Sequence, residues 1–443
     1  DAWFGTGQMC SASCAKLWYS NSMDYQSAVP AKKSQALRRV GLFGPYVSRN
    51  LGDTATQIAV IQNLCRRRSD LQILGIAPEP EDTLRSLGIP AFPLSGLGST
   101  AGNLAPYIDL PSGAQSDNWR RPYSPVIVRR ISRFVKTLDL LIISGGGQFD
   151  DFWGGAWNHP WSMLLWTALA HRYRIPVIYL AVGVDGLKEK LSRHFSIMAL
   201  NLAQARFFRD VRSLAVIKGM GLKKEADVCP DLVFALETSP RANVRTLHSG
   251  KKFVVISPIS RKTWSKTETD VHERYLSALI DAGSDLSARG FSLRIVCSQS
   301  AMDLGDARVL ADCFKERGIV DVAIYDAPGV GDFLNAVRGA ELVVASRLHG
   351  VILSLVAGCP VVALAHLDKV RVVMEDFGLT EYCETLQEIK SDKLCSMVAC
   401  AVEHSEPIRA RVQQVADGFR NRLVVIFDAT AMFLGERSSR FVY

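Results

Sequence analysis

The sequence predicts an α/β protein built from two doubly wound, Rossmann-like domains that face each other. Three observations predict it. Short, continuous apolar runs alternate with helical stretches in two blocks, the pattern of parallel strands buried on both faces and linked by helices. A polar segment, residues 237–251 with Pro240, Asn243 and Gly250, separates the blocks. The residues best suited to chemistry follow directly on apolar runs, at the carboxyl ends of strands where open α/β sheets bind ligands. With 443 residues, 48% hydrophobic and 22% charged, the chain is long enough for two to three globular domains. The expected organisation is an extension over 1–38, an N-terminal domain over 39–240, a C-terminal domain over 250–385 and a helical segment over 386–443.

In the first block, Arg39–Gly44 reads as a strand, the polar turn Ser48–Asp53 follows, and Thr56–Leu64 has helical spacing. Leu71–Ile76 is the next strand. Residues 93–124, rich in Gly, Pro, Ser and Asn, read as a long loop. Leu138–Ile143 is a continuous apolar strand that stops at Ser144-Gly145-Gly146-Gly147. Trp161–His171 is helical, Val177–Val182 is a buried strand, and 206–210 and 227–231 are two further strand ends. In the second block, strands are expected at 253–257 and 293–297, at 341–345 before Ser346, and at 360–364. Helices are expected near 271–289, near 303–317 and through Ala357, and amphipathic helical spacing runs from 386 onward.

The formal net charge is +8, with the excess spread out; the largest clusters are Arg66-Arg67-Arg68 and Arg120-Arg121. A diffuse excess suits anionic substrates or an anionic membrane surface. No zinc finger, recognition helix or aromatic-rich RNA motif is present, so no nucleic-acid partner is expected. The ten cysteines form no CxxC pair, and several lie in apolar runs, which favours buried free thiols and a reducing compartment. No apolar run is long enough to span a bilayer, and the first residues lack the apolar core of a signal peptide.

Arg347 and His349 close the apolar run Leu342–Ala345 and precede the helix-like run Val351–Ala357. Arg brings a permanent bidentate fork for carboxylate or phosphate, and His a proton near neutral pH. The pair points to proton-transfer chemistry on an anionic substrate. Arg261 stands after the strand 253–257 at the equivalent topological place. Lys369 and Arg371 follow the strand 360–364 and would point to one side if extended; the bland alternative is solvated charge at a helix start. Gly145, Gly146 and Gly147, followed by Asp150 and Asp151, let backbone N–H groups approach an anion, though such a run also serves as a simple tight turn. Asn50 and Asp53, around Leu51-Gly52, read first as helix caps. His159, His171 and His366 lack the combination of a strand end and an Arg two residues earlier, and read as structural. No GxGxxG, P-loop, GxSxG or metal-ligand spacing is present, so no metal is expected.

In order along the chain, these motifs resemble the polysaccharide pyruvyl transferase family. The similarity runs from about residue 39 to about residue 383. It is carried by Gly44 with Asn50-Leu51-Gly52-Asp53, by Gly145-Gly146-Gly147, and by Phe208-Arg209-Asp210 with Ser213-Leu214 and Pro230-Asp231. The block Ser346-Arg347-Leu348-His349-Gly350, followed by Gly358–Val362, Lys369-Val370-Arg371 and Phe377-Gly378-Leu379, is its strongest part. His366-Leu367-Asp368 departs from the Tyr-Asp-Pro-like run common there.

The resemblance implies a GT-B-like fold and phosphoenolpyruvate as co-substrate, with no cofactor. A pyruvyl group would be joined as a ketal to two hydroxyls of a glycan or lipid-linked sugar, and phosphate would leave. It implies donor binding by Arg261, Arg347, Leu348, His349, Lys369 and Arg371, and catalysis by His349 and Arg347 with Asp150 or Asp151 as base. Asn50, Gly52, Asp53, Gly145, Gly146 and Gly147 would lie on the acceptor side, in the N-terminal domain. The alternatives are a GT-B glycosyltransferase using a nucleotide sugar and a non-catalytic glycan- or anion-binding relative. A bacterial source would imply a cytoplasmic enzyme, peripheral to the membrane if the basic surface binds it; a eukaryotic source would imply the Golgi lumen. The sequence specifies neither acceptor sugar nor oligomeric state.

Overall fold

The structure is a computed structural model that describes residues 37–44, 50–97, 99–102, 125–151, 154–238, 251–261 and 269–435. Nearly all of the expected extension, residues 103–124 of the expected loop and 239–250 of the linker lie outside the described residues. The chain divides into two compact units. One is drawn from Asp1–Tyr46, Thr56–Ala235 and Arg422–Tyr443, the other from Val47–Ala55 and Leu236–Asn421.

The first stretch runs β1 (Arg38–Phe43), α1 (Leu51–Arg67), β2 (Leu71–Ala77), α2 (Pro80–Leu87), β3 (Ala91–Pro93), α3 (Pro125–Val135), β4 (Leu140–Ser144) and β5 (Phe149–Asp150). It continues with α4 (His159–Arg172), β6 (Val177–Val182), β7 (Val184–Gly186), α5 (Lys190–Leu202), β8 (Ala205–Phe208), α6 (Val211–Gly219) and β9 (Asp227–Val228). Seven of these strands form one sheet in the order β3-β2-β1-β4-β6-β8-β9, and every pairing is parallel. The apolar runs seen in the sequence are its central strands: β4 and β6 are buried at every position. Phe92, Phe134 and Trp166 pack ring on ring beneath it, and the Trp166 indole donates to the Leu94 carbonyl (3.0 Å). The β6–β8 register shifts between Tyr179 and Val182, where Ala181 takes φ +53°. A left-handed alanine costs about 1–2 kcal/mol, so the packing around this strand end must hold it.

The second stretch runs β10 (Phe253–Ser257), α7 (Thr269–Ala288), β11 (Ser292–Val296), α8 (Ser300–Glu316), β12 (Val322–Tyr325), α9 (Val330–Val337) and β13 (Leu342–Ala345). It ends with α10 (Leu348–Val356), β14 (Val361–Ala365), α11 (Asp368–Asp376), β15 (Cys383–Thr385), α12 (Ser391–Glu403) and α13 (Ser405–Met432). Its sheet has the order β12-β11-β10-β13-β14-β15, again all parallel. Counted from β10, this is the 3-2-1-4-5-6 order of a doubly wound fold. In each sheet the order reverses beside the first strand, between β1 and β4 and between β10 and β13. A ligand crevice is expected outside the carboxyl ends at those two switch points. Among the described residues, no helix is long and apolar enough to cross a membrane, and no cluster of His, Cys, Asp and Glu could hold a metal ion.

Candidate active site

At the switch point of the second sheet, two acidic residues on one helix gather the loops. Asp303 and Asp306, three apart in the first turns of α8, face the same way. Asp303 is fully buried. It accepts from Arg347 twice, from Nε at 2.5 Å and Nη2 at 2.6 Å, and from the Ser260 amide at 2.9 Å. Burial pushes its carboxyl up, and the Arg347 guanidinium draws it back down. Asp306 accepts from the Ser260 hydroxyl (2.7 Å) and the Arg261 amide (3.4 Å), and it pairs with His272 Nε2 (3.1 Å). Burial lowers the His272 pKa against the pull of Asp306. Ser346 shares a hydrogen bond with the buried Tyr275 hydroxyl (2.8 Å), which also accepts the Ile259 amide (3.0 Å). The loops after β10 and β13 are thus one cross-linked body, with α8 and α7 as braces.

This network redefines Arg347. Its fork, expected to grip the substrate, is closed on Asp303, and the pair sums to no net charge. Arg261 keeps an exposed side chain at the rim. Lys369 and Arg371 do not point to one side, because α11 begins at Asp368 and keeps them helical. At 100° per residue, positions two apart diverge. The intervening Val370 is buried, and exposed Arg371 lies 3.7 Å from Asp368.

His349 is the second residue of α10, and Leu348 beside it is buried. Arg347 is the N-cap residue, yet its side chain makes no capping bond. Helix N-termini attract anions through such amides and the helix dipole. Behind them lie the Ser257 and Ser298 hydroxyls, 3.3 and 3.4 Å from where a Cβ on Gly350 would stand. Both are buried without a hydrogen-bond partner among the described residues.

The Asn50–Asp53 turn belongs to this same unit. Asn50 Oδ1 accepts the Gly52 amide (3.1 Å), Asn50 Nδ2 donates to Asp53 (2.8 Å), and the Leu51 amide reaches the Ser298 carbonyl (3.4 Å). Asn50 is therefore a helix cap, as its residue type suggested. Gly52 has a separate reason to be glycine: a Cβ there would run into the His349 imidazole. Two motifs nearly 300 residues apart in sequence meet at that contact.

At the switch point of the first sheet, neutral side chains bond the glycine turn, and two carboxylates follow it. Gly145 and Gly146 take φ +58° and +64°, and a Cβ on Gly145 would collide with Thr56. Gly147 continues the turn. The Ser144 hydroxyl donates to Gln57 (3.0 Å), and Gln148 donates to the Ser144 carbonyl (3.1 Å) while pairing with His159 Nε2 (2.9 Å). Burial pushes the His159 imidazole down to about 4, so it is neutral at pH 7. Asp150 closes β5, half-buried. Asp151 instead clasps the loop, accepting the Lys188 and Glu189 amides (2.8 and 2.7 Å). Burial works to raise its pKa, but those amides overcome it and hold the carboxyl below its ordinary value.

Asp303, Asp306, His272 and Tyr275 were not singled out from sequence. The available signal was the Asp pair at i, i+3 after β11, one helical turn past a strand end.

In fold, the chain is similar to UDP-GlcNAc 2-epimerase from Neisseria meningitidis, solved bound to UDP-GlcNAc. The TM-score is 0.58 at 12% identity, covering 90% of this chain and 100% of that one. A putative UDP-N-acetylglucosamine 2-epimerase from Listeria monocytogenes gives 0.58 at 12% identity, covering 92% and 100%. A glycosyltransferase from Rickettsia africae gives 0.53 at 10% identity, covering 91% and 100%. These likenesses place the fold in the GT-B class of two parallel-sheet α/β domains. No curated protein matches the chain in sequence. The family model described as polysaccharide pyruvyl transferase matches residues 50–368, from the Asn50 cap to the first residue of α11. The chain belongs to the polysaccharide pyruvyl transferase family.

Proposed function

We propose that the protein transfers the pyruvyl group of phosphoenolpyruvate to two hydroxyls of a glycan sugar, forming a ketal and releasing phosphate. The observation that carries this reading is the placement of His349. It stands in the first turn of α10, at the switch point of the second sheet, seated against Gly52 and beside the locked Arg347–Asp303 pair.

The chemistry asks for such a group. Protonating the methylene carbon turns it into a methyl and leaves an oxocarbenium-like centre. One sugar hydroxyl adds to that carbon, phosphate departs, and the second hydroxyl closes the ketal. The two hydroxyls give up two protons; the methyl takes one and the phosphate the other. His349 supplies the proton to carbon, and the α10 amides with Arg261 and Lys369 hold the donor's carboxylate and phosphate. Arg347 positions the α10 N-terminus through Asp303. We assign the base to Asp150, because Asp151 is held ionised by two amides and is a poor proton acceptor.

The test is phosphate release from phosphoenolpyruvate with galactose-, glucose- and mannose-terminated acceptors. The reading predicts release that requires both substrates. Tight nucleotide-sugar binding with no acceptor-dependent phosphate would transfer the assignment to a glycosyltransferase.

A further inference from the structure

Trp157 is half exposed (50%) and is the one aromatic among the exposed large hydrophobic residues described. A single exposed apolar side chain needs no explanation, but this one is built in. Its ring stands edge-on to Phe195 at 5.2 Å and tilted to Trp161 at 5.3 Å, and those two rings meet at 5.1 Å. The loop beneath is pinned as well. Gly154 and Gly155 turn it with φ +99° and +69°, and the Gly155 amide returns to the Asp151 carbonyl (3.0 Å). The Glu189 carboxylate takes the Ala156 amide (3.1 Å), and Asp151 clasps the start of α5. The result is a rigid aromatic face held open to solvent.

Its address is the second observation. Trp157 lies on the connection from β4 through the glycine run to α4. The first residue of α4, His159, bonds Gln148 (2.9 Å) and packs 5.9 Å from Phe43, the last residue of β1. Two residues earlier, Trp157 precedes the N-terminus of α4, on the carboxyl-end side of its own sheet. The groups that bond the glycine turn there are side-chain amides, a hydroxyl and a neutral imidazole, with the Asp150 carboxylate in the same loop, a set able to bond sugar hydroxyls.

Resting on the reading given above, we infer that Trp157 is the platform on which a pyranose ring of the acceptor glycan stacks. The negative face of an indole attracts the polarised C–H groups on one face of a sugar ring. Pre-set rings lose little side-chain freedom on binding.

The test compares the full-length wild type with Trp157→Ala and Trp157→Phe, checking each fold by thermal unfolding. Phosphate release is measured with acceptor and phosphoenolpyruvate varied separately. Trp157→Ala raises the acceptor KM about ten-fold, leaves the phosphoenolpyruvate KM within about two-fold, and Trp157→Phe recovers most of the loss. An acceptor KM unchanged in Trp157→Ala overturns the platform, and so does a variant whose only loss is binding to anionic lipid vesicles. If the wild type releases no acceptor-dependent phosphate, the reaction assignment fails separately. Calorimetric binding of the same neutral oligosaccharides then decides: binding lost in Trp157→Ala supports the platform, and no binding to wild type, or equal binding to both, overturns it.

Discussion

At the switch point of the second sheet the strand ends are held by ionised side chains; at that of the first they are held by amides and glycine backbone. Asp303 and Asp306 tie Arg347, Ser260 and His272 into one buried net. Gln57, Gln148, Ser144 and a neutral His159 do the equivalent work in the other unit. The two places share a topology and differ in what they are prepared to meet. In the proposed reaction the compensated Arg347–Asp303 pair would stand beside the donor's anionic groups, and the neutral side chains around the glycine turn would face the acceptor's hydroxyls.

The largest effect is expected at His349. His349→Ala lowers kcat by roughly 10²–10⁴, the scale of a lost general acid, with thermal unfolding close to wild type. Gly52→Ala, which displaces the imidazole without removing it, should follow in the same direction. Wild-type kinetics in both variants would show that the contact is only packing.

Next comes the ion pair. Asp303→Ala removes the buried carboxylate that compensates the Arg347 charge and destabilises the protein by about 3–5 kcal/mol in denaturant unfolding. A much smaller loss would mean that water reaches Arg347 and that the loops are not braced as described.

The smallest effect belongs to the neutral half. The folded pKa of His159 lies below its ordinary value of 6.5, at about 4, so the unfolded chain takes up the proton first. Stability is kept above the ordinary value and falls as the pH drops from 6.5 towards 4. The loss is on the order of 2–3 kcal/mol. His159→Asn should flatten that slope, and a slope that persists in the variant would assign it to other groups.

How much of this was legible in the sequence follows from what each residue depends on. Strands β6 and β10 are continuous apolar runs buried on both faces, and their periodicity alone marks them. Edge strand β12 is partly exposed throughout, and β5 and β7 have two and three residues, so hydrophobic pattern carries almost no signal for them. Arg347 and His349 stand out in the sequence because a cation and an imidazole at a strand end are unusual. The partners of Arg347 do not, because carboxylates three apart on a helix read as a solvated face until the sheet order brings β10, β11 and β13 side by side. Lys369 and Arg371 kept two readings for a local reason: whether two charges converge depends on whether the chain is extended or helical, and α11 starts one residue before Lys369.

In the proposed reaction, this chain protonates the methylene carbon of phosphoenolpyruvate before a sugar takes the pyruvyl group. Running the reaction in D2O and weighing the ketal product by mass spectrometry tests it directly. One solvent-derived deuterium in the product methyl is the predicted result. A product with none, or phosphoenolpyruvate left unconsumed in the presence of every acceptor, would contradict it.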